Sequence, residues 1–251
     1  MSLSIAEFVR QPKPLLLAHR GNSAAAPENT LPAFSSAIEL GVDLVELDYR
    51  HSADGVPVVF HDETLDRSTD AVVRWGGQDI PLASRTAAEL GQLDAGRWFS
   101  PRFAGTRLPT LEQALALICR ESRCMIERKA GDAKTCVELL RRLDVTDRVV
   151  VTAFDWAFLA ECRALAPELT LGALGDEPLT PESLDRTVAS GASIVGWGDA
   201  WVAREHVASA HGRGMRVWVW TVDDPIRARQ LTAFGADGLI TNAPATVLDE
   251  T

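Results

Sequence analysis

Long apolar runs are what this chain most plainly lacks. The N-terminal stretch holding Arg10 and Lys13 leads only to the short run Leu15 to Ala18, too brief for the core of a signal peptide. No apolar stretch elsewhere reaches the length needed to span a membrane. Positive charge is also scarce: 25 Lys and Arg stand against 35 Asp and Glu, a net charge of −10. That balance argues against a general nucleic-acid binder, which needs a basic face for the phosphate backbone. It leaves room for a small anionic substrate held by a local Arg/Lys pair. The four cysteines, Cys119, Cys124, Cys136 and Cys162, have no CxxC spacing and sit within helix-like or strand-like apolar patterns. Buried free thiols in a soluble, cytoplasmic protein are therefore expected. Internal repeats, low-complexity segments and linkers are missing too, so residues 1–251 are expected to form a single domain. Their 46% apolar content can supply a sizeable core.

Short apolar, β-branched-rich runs alternate with amphipathic stretches along the chain. The strand candidates are Leu15–His19, Leu44–Asp48, Met125–Lys129, Val149–Phe154, Thr170–Leu174, Ser193–Trp197, Arg216–Val222 and Gly238–Thr241. Helical patterns fall between them, and Gly41, Gly191, Gly214 and Gly235 sit where helices should stop. Eight strands with helices between them predict an α/β fold of the (β/α)8 TIM-barrel kind. A doubly wound sheet is the rival, but it would more usually have six strands and no GxGxxG follows the first. One connection breaks the rhythm, running from His61 to Leu108 before the helix at Thr110. A loop that long is usually functional or structured in its own right. Trp75, Trp98, Phe99 and Phe103 give it something to bury. It is read as a small insertion after the second strand, at about 62–108, packed over one end of the barrel.

Polar residues cluster at the ends of the apolar runs. The first strand ends in His19-Arg20, the second carries Glu46 and Asp48, Val58-Val59-Phe60 ends in His61-Asp62, and the third strand carries Glu127 and Lys129. Charges at the end of a buried strand are costly to desolvate unless paired, metal-bound or working. Alternation puts Glu46 with Asp48 on one face, and Glu127 with Lys129 on one face. Neighbouring strands would then bring three carboxylates together at the C-terminal mouth of the barrel. Such a set, without a thiolate, suits a hard divalent cation, Mg²⁺ or Ca²⁺. The plainer reading is a layer of ion pairs, Glu127 with Arg20 for example, which accounts less well for three acids and two bases in one place. A lone histidine is more often a satisfied structural group. His19 and His61 together, beside such a cluster, point to proton transfer near neutral pH. Arg20 and Lys129 suit phosphate oxygens, and equally serve as counter-ions to the acids. Phe154, Trp197 and Trp220 could wall a pocket or be plain core. Asn29 and Thr30 read as a helix N-cap, with Asn29 also able to reach the site. His51, in a polar turn, is read as solvated.

These residues fall in an order that resembles the glycerophosphodiester phosphodiesterases. The resemblance is carried by His19-Arg20-Gly21, Pro27-Glu28-Asn29-Thr30, Glu46-x-Asp48, Asp54-Gly55-x-Pro57-Val58-x-x-His61-Asp62 and Leu65-x-Arg67-x-Thr69. It continues through Pro109-Thr110-Leu111, Glu127-x-Lys129, Trp220-Thr221-Val222 and Asp237-Gly238-x-Ile240-Thr241. It implies a TIM barrel with an insertion, a divalent cation on Glu46, Asp48 and Glu127, and phosphate on Arg20 and Lys129. It also implies an acid/base pair of His19 and His61, and a glycerophosphodiester substrate split into glycerol 3-phosphate and an alcohol. Two variants of that function are a related barrel enzyme acting on lysophospholipid or sphingolipid head groups and a non-catalytic phosphodiester-binding protein. The chain departs from the family at Asn242, where Thr-Asp-x-Pro is frequent, and at Arg128, where an apolar residue is more usual.

Overall fold

In residues 3–248, which the computed structural model describes, nine strands build one sheet that closes on itself. They are β1 (Leu15–Ala18), β2 (Leu44–His51), β3 (Pro57–Val59), β4 (Arg123–Arg128), β5 (Val149–Ala153), β6 (Thr170–Gly175), β7 (Ile194–Gly198), β8 (Arg216–Trp220) and β9 (Gly238–Thr241). Eight of them run parallel in the order β1-β2-β4-β5-β6-β7-β8-β9, and β9 pairs with β1 to close the ring. The expected (β/α)8 barrel is therefore observed. The ninth strand, β3, was not expected; it folds back antiparallel on the protruding end of β2, pairing Tyr49 with Val59 and His51 with Pro57.

The helices between strands start where local chemistry stops their first turn from going unsatisfied. Thr110 accepts from the Gln113 amide while Gln113 reaches back, Asp132 accepts from Thr135, and Asp155 accepts from Ala157 and Phe158. All four glycines expected at helix ends adopt positive φ, between 74° and 95°.

Strand alternation sorts the apolar side chains into two layers. Leu15, Leu17, Leu44, Met125, Val150, Leu174, Ile194, Trp218 and Ile240 point inward and fill the barrel. Ile5 and Val9, from the short helix Ile5–Phe8, join them at the end opposite the C-terminal mouth. The other layer, including Val45, Leu47, Tyr49, Ile126, Val151 and Trp197, packs outward under the helices. Each such side chain contributes roughly 1.5–3 kcal/mol by leaving water.

The insertion between β3 and the helix Leu111–Glu121 has its own apolar cluster. Val58, Phe60, Leu65, Ala71, Ile80, Leu82, Leu90, Leu93, Ala95 and Leu108 form it. Of the four aromatics expected to fill this segment, Trp75 packs against the cluster. Trp98, Phe99 and Phe103 stack edge-on to one another outside it, with Trp98 40% exposed. The small core is mostly aliphatic, with Phe60 as its one buried aromatic.

Candidate active site

The inward face of β2 runs Leu44-Glu46-Asp48, and that of β4 runs Met125-Glu127, continuing to Lys129. Pairing sets Glu46 beside Met125 and Asp48 beside Glu127. The apolar pair Leu44 and Met125 belongs to the barrel's filling, and the carboxylates stand just above it. Glu46, Asp48 and Glu127 are all buried, and one oxygen from each lies within 4.8 Å of the others.

Three groups hold Asp48. Asn29 donates its amide to Oδ2 (2.8 Å) and accepts from the Asp48 backbone N–H (3.1 Å). The Arg20 guanidinium lies 3.3 Å from Oδ2, and the Lys129 ammonium 3.4 Å from Oδ1. Lys129 also pairs with Glu127. The Arg20 backbone N–H donates to Glu46 Oε2 at 2.6 Å. For this the β1 loop turns sharply, with Arg20 and Asn29 both in the left-handed region at φ 56° and 57°. Gly21 makes the turn feasible: at its φ of 79° a Cβ would lie 2.7 Å from the Ala33 backbone. Asn29 thus clasps a carboxylate instead of capping the helix Leu31–Glu39. Thr30 is the N-cap but turns its hydroxyl to the Pro27 carbonyl.

The carboxylates carry more negative charge than these cations settle. Burial, then Asp48 and Glu127, push Glu46 well above the usual carboxylate range. Burial and Asp48 push Glu127 up to about 7 despite Lys129. Burial would raise Asp48 as well, but Arg20 and Lys129 hold it below its ordinary value. Glu46 Oε1 is buried with no hydrogen-bond partner among the described residues. A buried oxygen without a partner, in an all-oxygen set this tight, fits a hard divalent cation.

The two histidines face one cavity of about 240 Å³, also lined by Arg20, Glu46, Glu127 and Lys129. His19 continues the inward face of β1, its N–H bonded to the Thr241 carbonyl (2.8 Å). Its Nδ1 lies 2.7 Å from Asn242 Oδ1. His61 stands just past β3, with Nδ1 2.7 Å from Asp62 Oδ1. Burial lowers the pKa of both, with Arg20 adding to the effect at His19 and opposing the Asp48 carboxylate at His61. Phe154 and Trp220 also wall the cavity, edge to face at 5.7 Å and 83°, with the Lys129 ammonium 5.6 Å from the Phe154 ring. Trp197 is fully buried under the helices and belongs to the outer core.

A ladder of ion pairs that the sequence pattern did not reveal runs behind His61. Asp62 pairs with Arg67 (2.6 Å), Arg67 with Glu28 (2.7 Å), and Glu28 with Arg20 (2.9 Å). It joins the insertion to the β1 loop. His51 is half-buried, its ring filling the space beside Gly131 where a Cβ would lie 2.3 Å away. Arg128 does face the helix layer, where it donates to the Gly131 carbonyl (2.8 Å) and Asp155 (3.0 Å) and lies over the Phe158 ring. The cysteines are free, and burial raises their thiols. Among the described residues no helix is long and apolar enough to cross a membrane.

Comparison with known proteins gives this geometry a context. Residues 19–246 match the model of the glycerophosphoryl diester phosphodiesterase family. A glycerophosphodiester phosphodiesterase of Caldanaerobacter subterraneus subsp. tengcongensis is 32% identical over 244 residues, covering 94% of this chain and 97% of the relative. The fold superposes on an Oleispira antarctica phosphodiesterase in complex with its product sn-glycerol-3-phosphate, with a TM-score of 0.89, 27% identity and 98% of each chain covered. A glycerophosphodiester phosphodiesterase from Agrobacterium tumefaciens gives a TM-score of 0.81 at 28% identity, covering 94% of this chain and 99% of that one.

Proposed function

The chain belongs to the glycerophosphoryl diester phosphodiesterase family, and we propose that its cavity hydrolyses water-soluble glycerophosphodiesters to glycerol 3-phosphate and a free alcohol. The observation that carries this reading is the convergence of two histidines, Glu46, Glu127, Arg20 and Lys129 on one small cavity, with Asp48 buried against both carboxylates. Glu46, Asp48 and Glu127 would hold Mg²⁺ or Ca²⁺, which when bound would offset the charge on the phosphoryl oxygens. Arg20 offers its fork and Lys129 a point charge to those same oxygens. One histidine takes the proton of an attacking hydroxyl, the glycerol 2-hydroxyl, as its oxygen closes on phosphorus. The other gives its proton to the departing alcohol oxygen as the P–O bond breaks. Water then opens the cyclic phosphate with the two proton transfers reversed, leaving glycerol 3-phosphate. Phe154 and Trp220 add an aromatic wall against which the esterified glycerol or alcohol would pack. The free thiols fit a reducing compartment such as the cytoplasm.

The test is release of glycerol 3-phosphate from glycerophosphocholine with Mg²⁺ or Ca²⁺. His19→Ala and His61→Ala are each expected to cut turnover by at least about 10²-fold with the circular dichroism spectrum intact. Undiminished turnover in excess chelator, or in either variant, overturns the mechanism. Faster release from a lysophospholipid than from glycerophosphocholine would move the substrate assignment to acylated head groups.

A further inference from the structure

His19 has a partner whose own orientation is fixed from behind. Asn242 follows β9 and turns Oδ1 toward His19 Nδ1 at 2.7 Å. On its other side Asn242 donates Nδ2 to Asp223 Oδ2 at 2.8 Å, and its backbone N–H donates to Asp223 Oδ1 at 2.8 Å. Asp223, between β8 and the helix Pro225–Phe234, also accepts from the Thr241 hydroxyl at 2.9 Å. Ser23 Oγ donates to the His19 carbonyl (2.8 Å) and lies 3.1 Å from the same Asn242 Oδ1.

An amide can be turned over with little change of shape, so only its neighbours decide which end is oxygen. Turned over here, the Asn242 oxygen would face the Asp223 carboxylate, replacing a charge-assisted hydrogen bond with a repulsive oxygen pair. Asp223 therefore pins the amide oxygen toward His19. An oxygen that only accepts demands a proton on Nδ1, and a neutral imidazole has only one. Nε2 is then bare and free to accept.

We propose that Asp223 is a positioning residue for His19, acting through Asn242 to hold the imidazole as the Nδ1–H tautomer with its bare Nε2 available to the cavity. The proposal rests on the reading that His19 moves a proton in the reaction. It gives the two histidines the same tautomer by different means: Asp62 accepts directly from His61, while Asp223 reaches His19 through a neutral amide. The other charged groups facing His19 are Arg20 on the β1 loop, Asp48 on β2 and His61 beyond β3, with Glu46, Glu127 and Lys129 around the same cavity. The variants below leave all of them in place.

The full-length protein carrying ¹⁵N-labelled histidine gives a readout independent of turnover. Above the pH at which His19 loses its charge, its ring nitrogens are expected to show the Nδ1–H form. In Asp223→Ala a substantial share should pass to the Nε2–H form. With cation and glycerophosphocholine saturating, Asp223→Ala is expected to lower kcat at least about tenfold and leave KM within about twofold. The exchange Asp223→Asn with Asn242→Asp puts a carboxylate directly against Nδ1 and keeps an amide behind it to donate the hydrogen bond between the two positions. It is expected to remain active and to move the limb of the pH–rate profile set by His19 to higher pH by about one unit. Because it preserves the shape of both side chains, it keeps the test open should Asp223→Ala misfold. A wild-type Nε2–H tautomer, an unchanged tautomer and kcat in a folded Asp223→Ala, or an unmoved limb in the Asp223→Asn, Asn242→Asp exchange would each overturn the proposal. Undiminished turnover in His19→Ala would instead sink the acid/base reading. An inactive His19→Ala with silent Asp223 and Asn242 variants would sink this proposal alone.

Discussion

His19 and His61 face one cavity from two regions built in different ways. His19 extends a strand of the closed barrel, its backbone is bonded to β9, and a neutral amide backs its ring. His61 stands just past the edge strand β3 at the root of the insertion, and a carboxylate tied into three successive ion pairs backs its ring. The backbone ladder holds the first, and the side-chain charges of the insertion help to hold the second. A closed hydrogen-bonded ring gives up one strand only with the whole barrel, whereas ion pairs that meet at the half-exposed Arg67 can be weakened one at a time.

The strongest test of this contrast removes the carboxylate behind His61. Asp62→Asn keeps the side chain's shape but takes away the charge that stabilises an imidazolium, and kcat is expected to fall about 10- to 100-fold. Arg67 and His61, more than offsetting burial, hold Asp62 down to about 2. A lowered pKa means the ionised form is present above the ordinary carboxylate value and is lost only as pH falls through about 2. Asp62 is therefore ionised throughout about pH 5 to 9, and removing its charge should move the limb of the pH–rate profile set by His61 to lower pH. A limb left in place by Asp62→Asn would show that Asp62 is not the charge at work.

Next in size is Leu90→Ala, at the centre of the insertion's apolar cluster, which should cost about 2–5 kcal/mol of local stability. Turnover should fall at temperatures where β-sheet circular dichroism is still intact; simultaneous loss of both would show that insertion and barrel unfold as one unit. The smallest effect is expected from Arg67→Ala, in the half-exposed middle of the ladder. A two- to fivefold drop in kcat is expected, shrinking as salt also weakens the wild-type ladder. A deficit that persisted undiminished in 1 M salt would point to a role for Arg67 beyond charge.

The parts of this site visible in the sequence are those that depend on strand periodicity. Glu46 and Asp48, or Glu127 and Lys129, share a face because side chains alternate, so the cluster follows once strands β2 and β4 are recognised as neighbours. The histidines stood out because each ends an apolar run. What spacing cannot encode is which distant charges meet. Glu28 and Arg67 lie 39 positions apart and Asn242 and His19 lie 223 apart, joined only through the closed ring. Local rules left alternatives that the tertiary structure decides. Asn29 read as a helix cap also able to reach the site, and it holds Asp48; Trp197, open between pocket wall and plain core, packs outward because its strand position faces the helices. The run Val58-Val59-Phe60 was visible, but three residues beginning with proline carry too little pattern to mark β3 as a strand of its own.

The apolar cluster of the insertion shares no member with either cluster of the barrel. The enzyme's working parts are thereby divided between a frame that is hard to open and a flap that is easier to open. Heat, a protease or a ligand acting on the flap would idle the reaction while leaving the frame ready to resume it. Catalytic rate would then serve as a gauge of that one segment's integrity long before the molecule as a whole melts.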